Sequence, residues 1–200
     1  DVNRFNPEID GKIIRDKYAL DDEPLALFVG RLVPHKGIGI LIRSLTYTQK
    51  GKLLIVGDGP YKNWLVNLVK KLDLNDRVIF VGPVDDYWLP SYYSATDVVI
   101  LPSTSRLEAF GIVGLEGMAT AKPLILSDIP GVRDVISEKE GYIVEPLDPS
   151  AIAEALEKIW NAPEMAREMG LRGRERVEKL FSWEKVSKDV ESVFKNILSK

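Results

Sequence analysis

The run Leu53-Leu54-Ile55-Val56 is apolar at every position. A strand with one face in water alternates polar and apolar residues, whereas a strand with no polar alternate is covered on both faces. That is the habit of parallel strands packed under helices. Strand-length segments recur at 25–30, 53–57, 78–81, 98–101, 124–126 and 142–144. Helix-length segments fall at 38–47, 61–72, 88–94, 112–121, 131–136, 151–160, 164–179 and 183–198. This alternation predicts an α/β chain, a doubly wound parallel sheet of about six strands, Rossmann-like. No internal repeat or low-complexity linker interrupts it. The first residues, with Asn6-Pro7 and Asp10-Gly11, read as an irregular lead-in plus one helix.

Composition removes several functional classes. A net charge of -3 argues against nucleic acid as a bulk partner. The chain has no cysteine, hence no disulfide and no thiolate metal site, which fits a reducing, cytoplasmic setting. His35 is the single histidine, so a multi-histidine metal site is excluded and Ser-His-Asp chemistry disfavoured. The sequence holds no spanning apolar run and no signal peptide. One glutamine beside abundant Lys, Glu and Ile leans thermophilic.

On doubly wound sheets, ligands sit beyond the carboxyl ends of the strands, at the switch in strand order. The segments after each strand are therefore the ones to question. After the first comes Gly30-Arg31-Leu32-Val33-Pro34-His35-Lys36-Gly37. Two cations in a Gly- and Pro-bounded loop that enters a helix suit a diphosphate, Arg31 as a planar fork and Lys36 as a point charge. His35 reads as a solvent-facing loop residue. Walker spacing is absent, so this is not a P-loop. After the second strand, Gly57-Asp58-Gly59-Pro60 starts like a dinucleotide fingerprint, but Lys62 stands where the third glycine belongs. A strand-to-helix turn with Pro60 opening the helix is the better reading. The stretch Gly82-Pro83-Val84-Asp85-Asp86 offers backbone groups to a flat ring and no paired-aspartate metal clamp.

The fourth strand leads to Glu108-Ala109-Phe110-Gly111-Ile112-Val113-Gly114-Leu115-Glu116. The start of a helix here presents orphan amides, an anion site, and Gly111 permits close approach. Ile112, Leu115 and Ala119 share a helical face, and Glu116 falls within that apolar stripe. A carboxylate there needs a partner or a shifted pKa. Gly114 and Gly117 each cost the helix roughly 1 kcal/mol relative to alanine, so something is expected to approach closely.

These segments together resemble the donor half of a retaining glycosyltransferase. The residues that carry the likeness are Phe28-Val29-Gly30-Arg31-Leu32, Lys36-Gly37, Gly57-Asp58-Gly59-Pro60 and the spacing from Glu108 to Glu116. The relevant group is the GT-B family that includes sucrose synthases, glycogen synthases and bacterial mannosyltransferases, family 4 in the usual classification. The likeness runs from Asp1 to the Phe181-Ser182-Trp183-Glu184 segment.

The resemblance implies one half of a GT-B fold and a hexosyltransferase activity, with a nucleotide-diphosphate sugar of UDP, GDP or ADP type as substrate. It implies retention of configuration, no cofactor and no obligatory metal. Arg31 and Lys36 would bind the diphosphate and stabilise the leaving group, and Glu108 would lie by the sugar hydroxyls. Gly30 and the amides of Phe110, Gly111, Ile112 and Val113 would contact sugar and phosphates. Glu116 would accept from the ribose hydroxyls, and backbone near Val84 would hold the base. A complete enzyme of this type is about twice as long. The 1–200 chain is thus expected to be a donor-binding domain, incomplete alone, with 181–200 a C-terminal helix that packs toward an N-terminal acceptor domain. Peripheral membrane contact of the full enzyme is left open. The alternatives are a non-catalytic nucleotide-sugar-binding module and a Rossmann dehydrogenase, the latter disfavoured by the broken glycine fingerprint. The residues name neither base, sugar nor acceptor.

Overall fold

The computed structural model describes residues 1–108 and 110–198; Ala109, Ser199 and Lys200 lie outside it. Six strands are β1 (Leu25–Val29), β2 (Lys52–Val56), β3 (Val78–Gly82), β4 (Val98–Leu101), β5 (Leu124–Ser127) and β6 (Gly141–Val144). The helices are α1 (Lys12–Lys17), α2 (Ile38–Ser44), α3 (Lys62–Lys71), α4 (Leu89–Ala95), α5 (Ile112–Ala119), α6 (Pro149–Asn161), α7 (Pro163–Leu180) and α8 (Trp183–Leu198). All strand pairs are parallel, in the order β3-β2-β1-β4-β5-β6. The order therefore reverses between β1 and β4, and the loops that leave these two neighbours open side by side.

The unbroken apolar runs have the cause inferred from them. Ala26, Phe28, Leu53, Ile55, Val98 and Ile100 point into one core with residues of α2, α3 and α6. Their chain neighbours Leu25, Leu27, Leu54, Val56, Val99 and Leu101 point into the opposite core with α1, α4, α5 and α7. Alternate residues serve alternate faces, and both faces are dry. Arg174 ties the N-terminal segment to the second layer, its Nη1 donating to the carbonyls of Val2 (2.9 Å), Phe5 (2.8 Å) and Ala119 (2.7 Å).

Several boundaries differ from the sequence reading, each for a local reason. The helix expected over 38–47 is α2 followed by a 3-10 turn at Leu45–Tyr47. Residues 131–136 hold only a 3-10 turn, Arg133–Val135. Pro60 lies in a turn ahead of α3 rather than opening it, and the Asp58 carboxylate accepts from the Gly59 amide at 2.8 Å. The sixth helix begins at Pro149, two residues early, because Asp148 caps it by accepting from the amides of Ser150 (2.8 Å) and Ala151 (3.1 Å). Among the described residues, α8 buries none of its side chains, and no helix is long and apolar enough to cross a membrane.

Candidate functional site

The loop after β1 folds into a 3-10 turn, Pro34–Lys36, closed by Gly37 in the left-handed conformation (φ 69°). A Cβ at Gly37 would stand 1.8 Å from the Pro102 carbonyl oxygen, so only glycine lets the loop after β4 lie this close. The two loops are then sewn together. The Thr104 amide donates to the His35 carbonyl at 2.8 Å, and the Thr104 hydroxyl reaches the same oxygen at 3.2 Å. The role found for His35 is thus that of its backbone; its side chain is only half-buried.

Across this seam Lys36 Nζ forms an ion pair with Glu108 Oε2, and the buried Ser103 hydroxyl donates to that oxygen at 3.2 Å. Both charged side chains are largely covered, 21% and 11% exposed. Lys36 Cε also lies 4.0 Å from the point where a Gly30 Cβ would be, which places Gly30 beside the pair. Arg31 differs: it is exposed, and its guanidinium has no hydrogen bond or ion pair among the described residues. It is a cation held ready in a loop whose neighbouring amides are spoken for, Leu32 N–H donating to Asp58 and Leu32 C=O accepting from Tyr61.

The loop from β4 ends at Gly111, also left-handed (φ 68°), the N-cap of α5. The Gly114 amide bonds back to the Gly111 carbonyl at 2.8 Å, while Ile112 and Val113 precede any intrahelical acceptor. Ile112 is 65% exposed and Phe110 42%, so the helix entrance stays open.

The face of α5 that packs inward is not the one expected. Ile112, Leu115, Glu116 and Ala119 do share a side, but it lines a groove of about 390 Å³ with Phe5, Phe110 and Phe181. The buried residues are Gly114, Gly117 and Met118, with Ala119 buried at the border of the two sides. The close approach inferred from the glycines is made by the sheet: a Cβ at Gly117 would meet Leu124 at 2.9 Å and Val99 at 3.1 Å. The glycines thus serve helix-on-strand packing.

Glu116 is half-buried on the groove side, and its Oε2 accepts from the Tyr93 hydroxyl at 2.6 Å. Burial raises its carboxyl above the ordinary range; the Tyr93 bond, Arg4 and the chain's amino group pull it down, and Asp86 pushes it up. Arg4 reaches the loop after β3, donating to the Asp86 carbonyl at 2.5 Å. In that loop Val84 is half-buried, beside a cavity of about 480 Å³ lined by Tyr18, Trp88 and Tyr92. Sequence reasoning missed Tyr93, Arg4 and Ser103. One signal for Tyr93 was available: a tyrosine in an apolar helix must find a partner for its hydroxyl, and Glu116 was in need of a donor.

The raised carboxyl makes a checkable stability statement. Folded Glu116 holds its proton more tightly than unfolded Glu116, so stability falls as pH rises from the unfolded toward the folded pKa. Glu116→Gln removes the charge and keeps an acceptor for Tyr93. Its melting temperature should equal or exceed the parent's at pH 7, and the advantage should vanish below about pH 4. Thermal denaturation at both values checks this; a variant that loses stability relative to the parent as pH rises contradicts it.

The family model for glycosyl transferases group 1 matches residues 10–176. An uncharacterized glycosyltransferase of Methanocaldococcus jannaschii is 34% identical over 185 residues, 88% of this chain and 45% of that protein. A GDP-mannose-dependent alpha-(1-6)-phosphatidylinositol monomannoside mannosyltransferase of Mycolicibacterium smegmatis is 31% identical over 194 residues, 92% of this chain and 51% of the relative. Sucrose-phosphate synthase from Thermosynechococcus elongatus superposes with a TM-score of 0.90 at 35% identity, covering 100% of this chain and 51% of that one. The chain thus spans about half the length of each relative, and its Rossmann-like sheet is that of one half of a GT-B enzyme. The chain belongs to the glycosyl transferases group 1 family.

Proposed function

We propose that this chain binds a nucleotide-diphosphate sugar and supplies the donor half of a retaining hexosyltransferase, of the family 4 type. The observation that carries the reading is the seam at the strand-order switch. There the Lys36–Glu108 pair, Gly30 and the open entrance of α5 are drawn together by the Gly37 contact. A diphosphate needs cations and unpaired amides, and a sugar needs hydrogen-bond acceptors. In this reading Arg31 and Lys36 take the diphosphate, with the amides of Phe110, Gly111, Ile112 and Val113 beside it. Glu108 accepts from sugar hydroxyls, Glu116 from the ribose, and backbone at Val84 faces the base.

The reaction so assigned breaks the bond from the anomeric carbon to the diphosphate oxygen. The electron pair leaves with the nucleoside diphosphate, and Arg31 and Lys36 stabilise the charge that develops. The acceptor hydroxyl forms the new bond to the anomeric carbon and passes its proton to the departing diphosphate oxygen. The ligand the reading requires is the nucleotide sugar, with no further cofactor. One relative's name specifies a GDP-linked sugar; the base for this chain is left to measurement. The acceptor would bind a separate N-terminal domain of the same enzyme. The exposed apolar residues of α8, Trp183, Val190, Phe194 and Ile197, all at least half exposed, suit packing against it.

The test is activity with and without that half. The 200-residue chain should bind a nucleotide sugar yet transfer its sugar far more slowly than the roughly 1 s⁻¹ typical of enzymes. Transfer at that rate by this chain alone would overturn the division of labour.

A further inference from the structure

A fully buried tyrosine aimed at the functional carboxylate has no place in the reading so far. Tyr93 lies in α4, its ring wholly enclosed and edge-on to Phe5, with centroids 5.5 Å apart at 88°. Its hydroxyl donates to Glu116 Oε2 at 2.6 Å, a contact between helices twenty-three residues apart in sequence. The other oxygen, Oε1, carries no hydrogen bond among the described residues. From this asymmetry we propose that Tyr93 is a positioning residue. It anchors Glu116 by one oxygen across the α4–α5 boundary, so that Oε1 is presented to a ligand hydroxyl at a fixed place. The inference rests on the nucleotide reading of Glu116.

A glutamate on a groove edge lined by Phe110, Ile112 and Leu115 gains nothing from its neighbours by pointing inward, and unanchored it would turn toward water. A donor from beneath opposes that, and a charge-assisted hydrogen bond is among the stronger side-chain contacts. The direction of the bond is also fixed. Burial, together with Glu116 itself, holds the Tyr93 phenol protonated well above its ordinary range, so Tyr93 donates and Glu116 accepts. The other charges facing Glu116 come from different elements: Arg4 and the amino group of Asp1 from the N-terminal segment, and Asp86 from the loop after β3. Removing the Tyr93 hydroxyl therefore takes away the largest influence that favours the ionised carboxyl and leaves Arg4 to oppose burial and Asp86.

The test compares UDP, GDP and ADP with their 2′,3′-dideoxy forms by calorimetry, at pH 6 and pH 8. The parent should prefer the ribose form of its nucleotide by about tenfold or more, the range of one charge-assisted hydrogen bond. Tyr93→Phe keeps the ring and should hold the dideoxy affinity while losing most of the ribose preference, with a larger loss at pH 6. In the Glu116→Gln background the same change should add almost nothing. Difluorotyrosine at position 93, which keeps the fold contacts and strengthens the donor, should preserve the preference and extend it to lower pH. A merely structural tyrosine would lower both affinities together. Ribose preference kept within twofold in Tyr93→Phe overturns this inference alone. A parent that binds none of the three diphosphates overturns the nucleotide reading, and this inference with it.

Discussion

Gly37→Ala should cost the domain about 2–5 kcal/mol, the sum of left-handed strain at a non-glycine residue and an overpacked contact. The added Cβ would meet the Pro102 carbonyl at 1.8 Å, and that oxygen belongs to backbone with little room to yield. The loops after β1 and β4 would be forced apart, and the Thr104–His35 hydrogen bonds and the Lys36–Glu108 pair would part with them. For a domain of this size the melting temperature should fall by roughly 5–15 °C, and nucleotide binding should be lost. Gly82→Ala is the matched control, because Gly82 also has a left-handed φ (84°) but nothing within 4 Å of the new Cβ. It should show only the conformational cost, about 1–2 kcal/mol. Equal effects of the two substitutions, by thermal denaturation, would mean that the Pro102 contact contributes nothing.

The second large effect is expected at Arg31, with the opposite signature. Its side chain is exposed and makes no hydrogen bond or ion pair among the described residues. Arg31→Ala should leave the melting temperature unchanged and weaken nucleoside diphosphate binding by about 1.5–3 kcal/mol, or roughly 10- to 150-fold. Because the cation is exposed, the loss should shrink as salt rises. Calorimetry that finds the variant within twofold of the parent removes Arg31 from the site. Lys36 cannot give so clean a result, since it is already paired with Glu108 and its removal leaves that carboxylate uncompensated.

The parts of the molecule legible in the sequence are those fixed by local pattern. Leu53–Val56 read as a doubly covered strand because no polar residue breaks it, and the structure buries one set of its residues in each core. The loops holding Arg31 and Glu108 could be singled out because doubly wound sheets bind ligands beyond their strand ends. What pattern could not supply was direction. The helix Ile112–Ala119 is apolar nearly all round, so its periodicity points nowhere; the small size of Gly114 and Gly117 decides which side meets the sheet. Nor could sequence supply the long-range pairs. Lys36 and Glu108 stand 72 positions apart and meet only because β1 and β4 are neighbours, a fact of strand order. Tyr93 and Glu116 meet because α4 and α5 pack on the same face of the sheet. The cap at Asp148 was readable, since an aspartate followed by Pro149 at the first helical position is a known start signal.

We propose that the seam between the β1 and β4 loops is where a nucleotide-diphosphate sugar binds. The most direct test is calorimetric titration of the chain with UDP-, GDP- and ADP-linked sugars, in parallel for the parent and Arg31→Ala. One base class should bind the parent one to one with a dissociation constant well below about 1 mM, and that binding should weaken at least tenfold in the variant. No saturable heat from any of the three donors, or binding that Arg31→Ala leaves intact, would contradict it.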